Sequence, residues 1–366
     1  MERRSFLLAL ASLPAWRAGE AIAEAKAVEY AAVRPGQPLR FPFDHGAHPD
    51  FRSEWWYATG WLRLPDGAPL GFQTTFFRIR SGIGEHNASA FAPRQLIVAH
   101  AAIADPRHGR LRHDQRTARS GFGRAGCESG RTKVWVGEWR FEQQFEQRGE
   151  RYLATVEGTD FAYALSLTPD GPPMLNGAAG FSAKAPDPRH ASYYYSRPQL
   201  AVSGTVTLDG RKQAVSGRAW LDHEWSSELL PEGAQGWDWI GLNLDDGGAL
   251  MAFRLRSADG GALWLAATLR TATGGTQTLP PEAVAFEPLR QWHSPRTGIA
   301  YPVEWRVRIG PRTLLLRPLL DDQELDSRGS TGTVYWEGAV RVSEHEREIG
   351  RGYLEMTGYG ERIRIG

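Results

Sequence analysis

The chain predicts an all-β protein built from two similar antiparallel β domains related by internal duplication, and three observations predict it. The first is a repeat. Glu54-Trp55-Trp56-Tyr57-Ala58-Thr59-Gly60-Trp61-Leu62 runs into a turn at Asp66-Gly67, and the next apolar run ends Phe77-Arg78-Ile79-Arg80. Trp237-Asp238-Trp239-Ile240-Gly241-Leu242 likewise runs into Asp246-Gly247, and its successor ends Phe253-Arg254-Leu255-Arg256. Asp-Gly between apolar runs is a hairpin signal. A single recurrence at long range implies two similar domains, not a solenoid with a period of about 20–50 residues. The second observation is composition: 14 Trp, 11 Tyr and 15 Phe beside 41 Gly and 23 Pro suit short strands and tight turns. The third is spacing. Strand-like runs with turn signals every ~8–12 residues call for a sandwich or an up-and-down barrel. A barrel removes exposed edges, and one of about eight strands leaves room for a small ligand.

Each element follows in order. Residues 1–27 read as an export signal: Arg3-Arg4 precedes a short apolar run from Leu7 to Ala15, and cleavage candidates lie at Ala21-Ile22-Ala23 and Ala25-Lys26-Ala27. The paired arginines favour the twin-arginine route to the periplasm, and the run is too short to span a bilayer. A Pro-rich extended segment leads to the polar loop Asp44-His45-Gly46-Ala47-His48-Pro49-Asp50. Strands are expected at 54–64, 69–80, 95–104, 133–141, 151–157, 161–168, 200–208 and 215–225, forming a first domain over 28–228. A linker around Pro231-Glu232-Gly233 follows. The second domain, 236–366, takes strands at 237–245, 249–256, 262–270, 283–287, 302–309, 313–319, 333–342 and 350–357.

Charge and composition exclude several classes. Forty-three basic and 42 acidic side chains give a net +1, so nothing suggests a nucleic-acid partner. Cys127, the single cysteine, forbids an intrachain disulfide and reads as an incidental loop thiol. There is no Gly-rich phosphate loop, no His-Glu-x-x-His helix and no Gly-x-Ser-x-Gly elbow. His45, His48 and His100, with Asp44 or Asp50, match no metal-ligand spacing. No metal or other cofactor is expected.

The strings Phe41-Pro42-Phe43-Asp44-His45-Gly46-Ala47-His48-Pro49, Glu54–Leu62, Tyr193-Tyr194-Tyr195-Ser196-Arg197-Pro198, Gly217–Ser226, Tyr335–Val340 and Gly352–Tyr359 resemble the signatures of the AttH family. Those exported lipocalin-like proteins belong with the carotenoid 1,2-hydratases, the CrtC-like or hydroxyneurosporene synthase superfamily. The resemblance covers nearly the whole chain after the signal. It implies two packed lipocalin-like barrels, a lipophilic ligand, and addition of water to a terminal isoprenoid double bond as an alternative activity. A third reading is an accessory protein of an envelope ABC-type export system.

Hydration needs an acid to protonate an alkene and aromatic faces to stabilise a carbocation. A carboxyl group buried among aromatics holds its proton more readily. Asp222-His223-Glu224-Trp225 offers both, and strand alternation puts His223 and Trp225 on one face and Asp222 and Glu224 on the other. The resemblance matches His223 and Trp225 to the hydratases' His-x-Trp pair. Their Tyr-x-Asp pair has no counterpart in Leu250-Met251-Ala252-Phe253-Arg254, so Asp238, Glu54 or Asp222 would have to supply the acid. Catalytic candidates are therefore Asp222, His223 and Trp225. Ligand-binding candidates are Glu54, Trp56, Tyr57, His100, Tyr194, Trp237 and Trp239, lining a cavity within the first barrel. A structural reading competes: an acid in an aromatic strand pairs with an arginine, and Arg78 and Arg254 are available. Glu54, Glu337 and Glu355 read mainly in that structural sense.

Overall fold

The computed structural model describes residues 28–147 and 149–363; the expected export signal at 1–27 lies outside the described residues. No α-helix occurs among them, only strands and two single 3₁₀ turns. In the first sheet Ser53–Arg63, Pro69–Arg80, Gln95–Ala104 and Leu111–Arg119 pair in succession. The long hairpin Ala191–Leu208 and Arg211–Ser226 returns to the other edge of Ser53–Arg63. Phe161–Thr168, Gly149–Glu157, Trp139–Glu146, Lys133–Val136 and Ala125–Cys127 then extend the sheet. The sheet curls until its two ends touch, giving a nearly closed barrel.

The second sheet repeats this plan. Gly236–Leu244, Ala249–Arg256 and Ala262–Arg270 pair in succession, and the closing strand Arg347–Met356 returns to Gly236–Leu244 with Val334–Glu344 beside it. In both sheets the opening strand is thus central, flanked by the second strand and the last.

Three large apolar cores, with two smaller clusters beside them, explain the burial. Trp56, Ala58, Leu62, Phe72, Phe76 and Leu221 belong to a core that fills the first barrel. Ile240, Leu242, Trp305, Trp336 and Leu354 fill the second. The third core, including Tyr57, Trp61, Tyr194, Trp220, Trp239 and Tyr353, joins the outward faces of the two sheets. Ser53–Arg63 is therefore buried almost continuously instead of alternately, as expected of a strand covered on both sides. Two glycines allow the sheets to meet. A Cβ on Gly71 would lie 2.6 Å from the Tyr353 hydroxyl and 2.8 Å from Ala339 Cβ, and one on Gly241 would lie 3.0 Å from the Trp220 ring of the first sheet.

Several elements differ from the sequence reading: the run expected as one strand at 133–141 is a hairpin of Lys133–Val136 and Trp139–Glu146, and the short strands Ala125–Cys127, Thr276–Leu279 and Glu324–Asp326 were not expected. Leu111–Arg119 was not expected as a strand; it is charge-rich and lies at the end of the sheet path, where charged side chains discourage further pairing. The hairpin strand begins at Ala191, not 200, because a bulge between Arg197 and Leu200 carries it past Pro198. Cys127 ends the short strand Ala125–Cys127, and burial pushes its thiol up to about 12.

Gly71→Val should wedge the sheets apart and lower stability by about 1–3 kcal/mol, the range for overpacking a filled contact. Urea denaturation checks this; an unchanged midpoint would remove the close approach at Gly71 as a constraint.

Candidate functional site

A cavity of about 800 Å³ lies between the sheets and not within the first barrel. Register explains its walls. Tyr57 stands opposite Asp222 and Thr75, Thr75 opposite His100, and Trp55 opposite Glu224 and Phe77, so these side chains share the outward face. From the second sheet, Trp239 stands opposite Phe253 and Glu355, and Glu355 opposite Glu337. Trp237, Tyr194 and Tyr335 also line the space.

The wall carboxyls differ in their partners. Glu224 accepts from Lys184 Nζ at 2.8 Å and from the Ser192 hydroxyl at 2.5 Å; the same ammonium lies 4.2 Å over the Phe253 ring. Asp222 accepts from Tyr194 at 2.6 Å, Ser196 at 2.5 Å and Trp220 Nε1 at 2.7 Å. Burial raises it to about 7 against the pull of those three donors. Tyr194 in turn accepts from Trp239 Nε1 at 2.9 Å. Every polar atom in this chain is committed, so Asp222 anchors Tyr194 and Trp220.

Glu337 and Glu355 are placed otherwise. Neither forms a salt bridge among the described residues. Glu355 accepts from Trp237 Nε1 at 3.1 Å, while Glu337 Oε1 and the Tyr57 hydroxyl are buried without a hydrogen-bond partner. Burial and the facing Glu355 hold Glu337 well above the usual carboxylate range, and burial raises Glu355 to about 7. Adjacent carboxyls in an apolar wall keep a proton between them near neutrality. Tyr57 and Glu337 lie beside each other in the cavity wall with hydrogen-bonding capacity that no well-formed bond saturates. His100 supports the same wall: Nδ1 meets the Tyr335 hydroxyl at 2.8 Å and Nε2 the Ser330 hydroxyl at 2.8 Å. Burial lowers its pKa to about 3, keeping the ring neutral.

His223, Trp225, Trp56 and Glu54 point the other way, into the first barrel. Glu54 accepts from Arg78 Nε at 2.7 Å and from the His48 amide at 2.9 Å, and its Oε1 meets His48 Nδ1 at 2.7 Å and His223 Nε2 at 2.9 Å. His48 stacks on Trp225 at 3.7 Å and reaches Asp44 at 3.2 Å through Nε2. His45 meets the Tyr195 hydroxyl at 2.9 Å. The polar loop 44–50 is therefore a plug in the barrel end. The ligand atoms of His48, Glu54 and His223 lie within 4.8 Å of one another, a spacing open to a metal ion. Each of those atoms is already hydrogen-bonded, and the Arg78 guanidinium supplies the cation that Glu54 requires. The second sheet repeats the device: Asp238 pairs with Arg254 at 2.6 Å and Arg256 at 3.1 Å.

Among the sequence candidates, the structure brings Asp222, Tyr57, His100, Tyr194, Trp237 and Trp239 together on the cavity, which Glu54 also borders. It gathers Glu54, Trp56, His223 and Trp225 in the plug. Sequence reasoning gave Glu337 and Glu355 a structural role; the available signal was that both lie in Trp/Tyr strands while Arg78 and Arg254, the arginines on offer as partners, are matched to Glu54 and Asp238.

Two measurements check these assignments. Glu54→Gln should cost about 3–5 kcal/mol in urea denaturation, because Arg78 is left as an unpaired buried charge; Arg78→Met with Glu54→Gln should recover part of the loss. His100 has a depressed folded pKa, so the unfolded chain binds a proton that the folded chain does not. Its stabilising contribution is present above the ordinary value of 6.5 and is lost as pH falls toward 3. His100→Gln should make the melting temperature less steeply dependent on pH in that window, and an unaltered slope would contradict the assignment.

Residues 32–359 match the AttH-like family. The crystal structure of an AttH-type protein of Nitrosomonas europaea is similar, with 51% identity and a TM-score of 0.83 over 90% of this chain and 99% of that one. Kievitone hydratase of Nectria haematococca has the same fold at 15% identity, with a TM-score of 0.67 over 90% and 96% of the two chains. CghA, solved with Sch210972, is more distant at 15% identity and a TM-score of 0.51 over 86% and 89%. No curated protein matches the chain. The family match over nearly all the described residues, together with the 51% identical structure, places this chain in the AttH-like family.

Proposed function

We propose that the protein is an exported binder of an apolar, isoprenoid-like molecule, held in the cavity between its two sheets. The carrying observation is that cavity: about 800 Å³, walled by Trp55, Tyr57, Phe77, Trp237, Trp239 and Phe253, the composition of a small-molecule site. The unpartnered Tyr57 hydroxyl and Glu337 oxygen suit a single polar group on an otherwise greasy ligand. The Arg3-Arg4 leader supports a periplasmic setting.

The second reading, hydration of an alkene, is favoured by the Glu337–Glu355 pair. A neutral Glu337 would donate its proton to the less substituted alkene carbon, leaving a tertiary cation at the other. The faces of Trp55, Trp237 and Trp239 would stabilise that cation. Water would add to it and pass a proton to the Glu355 carboxylate, restoring one proton to the pair. That a hydratase of known substrate, kievitone hydratase, shares the fold agrees with this reading.

Extraction of the purified protein followed by mass spectrometry should yield an apolar molecule that Trp239→Ala fails to retain; an empty extract and no uptake of acyclic isoprenoids would end the binding reading. For hydration, isoprenoid alkenes in ¹⁸O-labelled water should give labelled tertiary alcohol. Glu337→Gln should lower turnover by roughly 10²-fold or more while ligand binding persists. The acid limb of the pH profile should fall near 7, since Glu355 must be ionised to accept the proton, and Glu355→Gln should abolish that limb. Turnover unchanged in both variants would remove the Glu337–Glu355 pair from the reaction, and no labelled alcohol from the parent would leave binding alone.

A further inference from the structure

A second feature lies beyond the cavity, at the end of the first sheet. Phe91 and Phe122 are 61% and 60% exposed yet stack at 4.8 Å, and Ile83, on the same loop as Phe91, is 65% exposed. Arg119 bridges the two rings, its guanidinium 4.7 Å over Phe91 and 5.5 Å over Phe122, and it donates to the Phe91 carbonyl at 2.7 Å. Arg94 and Arg124 are exposed on the same two segments. Over residues 81–94 and 119–124 Glu85 is the one carboxylate, and Arg80 already pairs with it at 2.9 Å. The tip therefore combines three exposed large apolar side chains with three arginines that these segments do not neutralise.

We infer that this tip docks the protein on an anionic lipid bilayer. Exposed aromatic and aliphatic side chains gain by entering the boundary between headgroups and acyl chains, while adjacent arginines gain from the negative surface potential. Arg119 sits beside the rings at the depth where phosphate groups would meet it. The tip is also continuous with the cavity, since the strand Pro69–Arg80 contributes Phe77 and Ile79 to the cavity wall and runs directly into the loop carrying Ile83 and Phe91. A docked tip would bring the cavity close to a membrane from which an apolar molecule can be taken or to which it can be delivered. The docking itself does not depend on the ligand reading.

Sedimentation of the purified protein with vesicles tests this. Vesicles of phosphatidylglycerol and phosphatidylethanolamine should bind it, and phosphatidylcholine vesicles should bind it at least about tenfold more weakly. Phe91→Ser with Phe122→Ser should lower partitioning by at least about tenfold, since burial of one such ring is equivalent to roughly a factor of ten or more. These side chains are exposed, so the circular dichroism spectrum should be unaltered. Raised salt should weaken binding. Trp239→Ala, which damages the cavity alone, should bind vesicles like the parent, so failure of the ligand reading and failure of docking give different results. Equal binding to both vesicle types, no effect of the double variant, or a concentration-dependent dimer that the double variant abolishes without any vesicle binding would each overturn the inference.

Discussion

The fold depends on one buried cross-strand ion pair, used twice. Glu54 stands opposite Arg78 in the first sheet and Asp238 opposite Arg254 in the second. Each carboxylate is fully buried, so its arginine must lie on the same face of the neighbouring strand. Side chains alternate along a strand, and a one-residue slip moves every side chain to the other face. Such a slip would strand a charge in an apolar wall at a cost of several kcal/mol. The pair thus fixes more than itself. With Glu54 inward, Trp55 and Tyr57 must face outward; with Asp238 inward, Trp237 and Trp239 must do the same. The walls of the cavity follow from where the charges are hidden.

The same physics separates the acids into two populations. A desolvated carboxylate beside a cation stays ionised, whereas one without a cation holds its proton. Glu54 lies well below its ordinary range because Arg78 and His48 overcome the effect of burial. Glu337, equally buried, has only another carboxyl and two tyrosine hydroxyls for neighbours and moves the opposite way. Asp222 lies between these cases: three donors oppose burial without an opposing charge. What distinguishes a structural acid from a reactive one here is the identity of its nearest partner, since depth is the same for all.

That distinction explains what the sequence made legible. The aromatic strands, their Asp-Gly turns and the recurrent Phe-Arg-aliphatic-Arg ends marked the duplication, and Arg78 and Arg254 were recognisable as partners for buried acids. The alternation of His223 with Asp222 also placed them on opposite faces. Two things were hidden. Leu111–Arg119 lacks an apolar alternation because it lies at a sheet end, so its pattern resembles a loop. A strand covered on both faces, such as Ser53–Arg63, does not reveal which side is barrel interior and which is domain contact. The sequence reading accordingly put the ligand space inside a barrel that Trp56, Phe72, Phe76 and their neighbours in fact fill.

Duplication also accounts for the uneven chemistry of the cavity. Aligning the two sheets on their ion pairs makes Trp55 equivalent to Trp239. Glu224, opposite Trp55, is then equivalent to Glu355, opposite Trp239. The next strand over places Tyr194 beside Glu224 but Glu337 beside Glu355. Both domains therefore present a carboxyl at the same place on the shared wall. In the first domain Lys184 neutralises it and a tyrosine stands alongside. In the second no cation pairs with it among the described residues, and a second acid stands where the tyrosine would be. The two carboxyls are close enough for Glu224 to help raise Glu355. A symmetric pair of sheets would have offered two equally quenched acids. Divergence at Lys184 and Glu337 leaves a proton-holding pair on one wall facing a charge-balanced, tyrosine-rich wall on the other, and neither domain alone contains both halves.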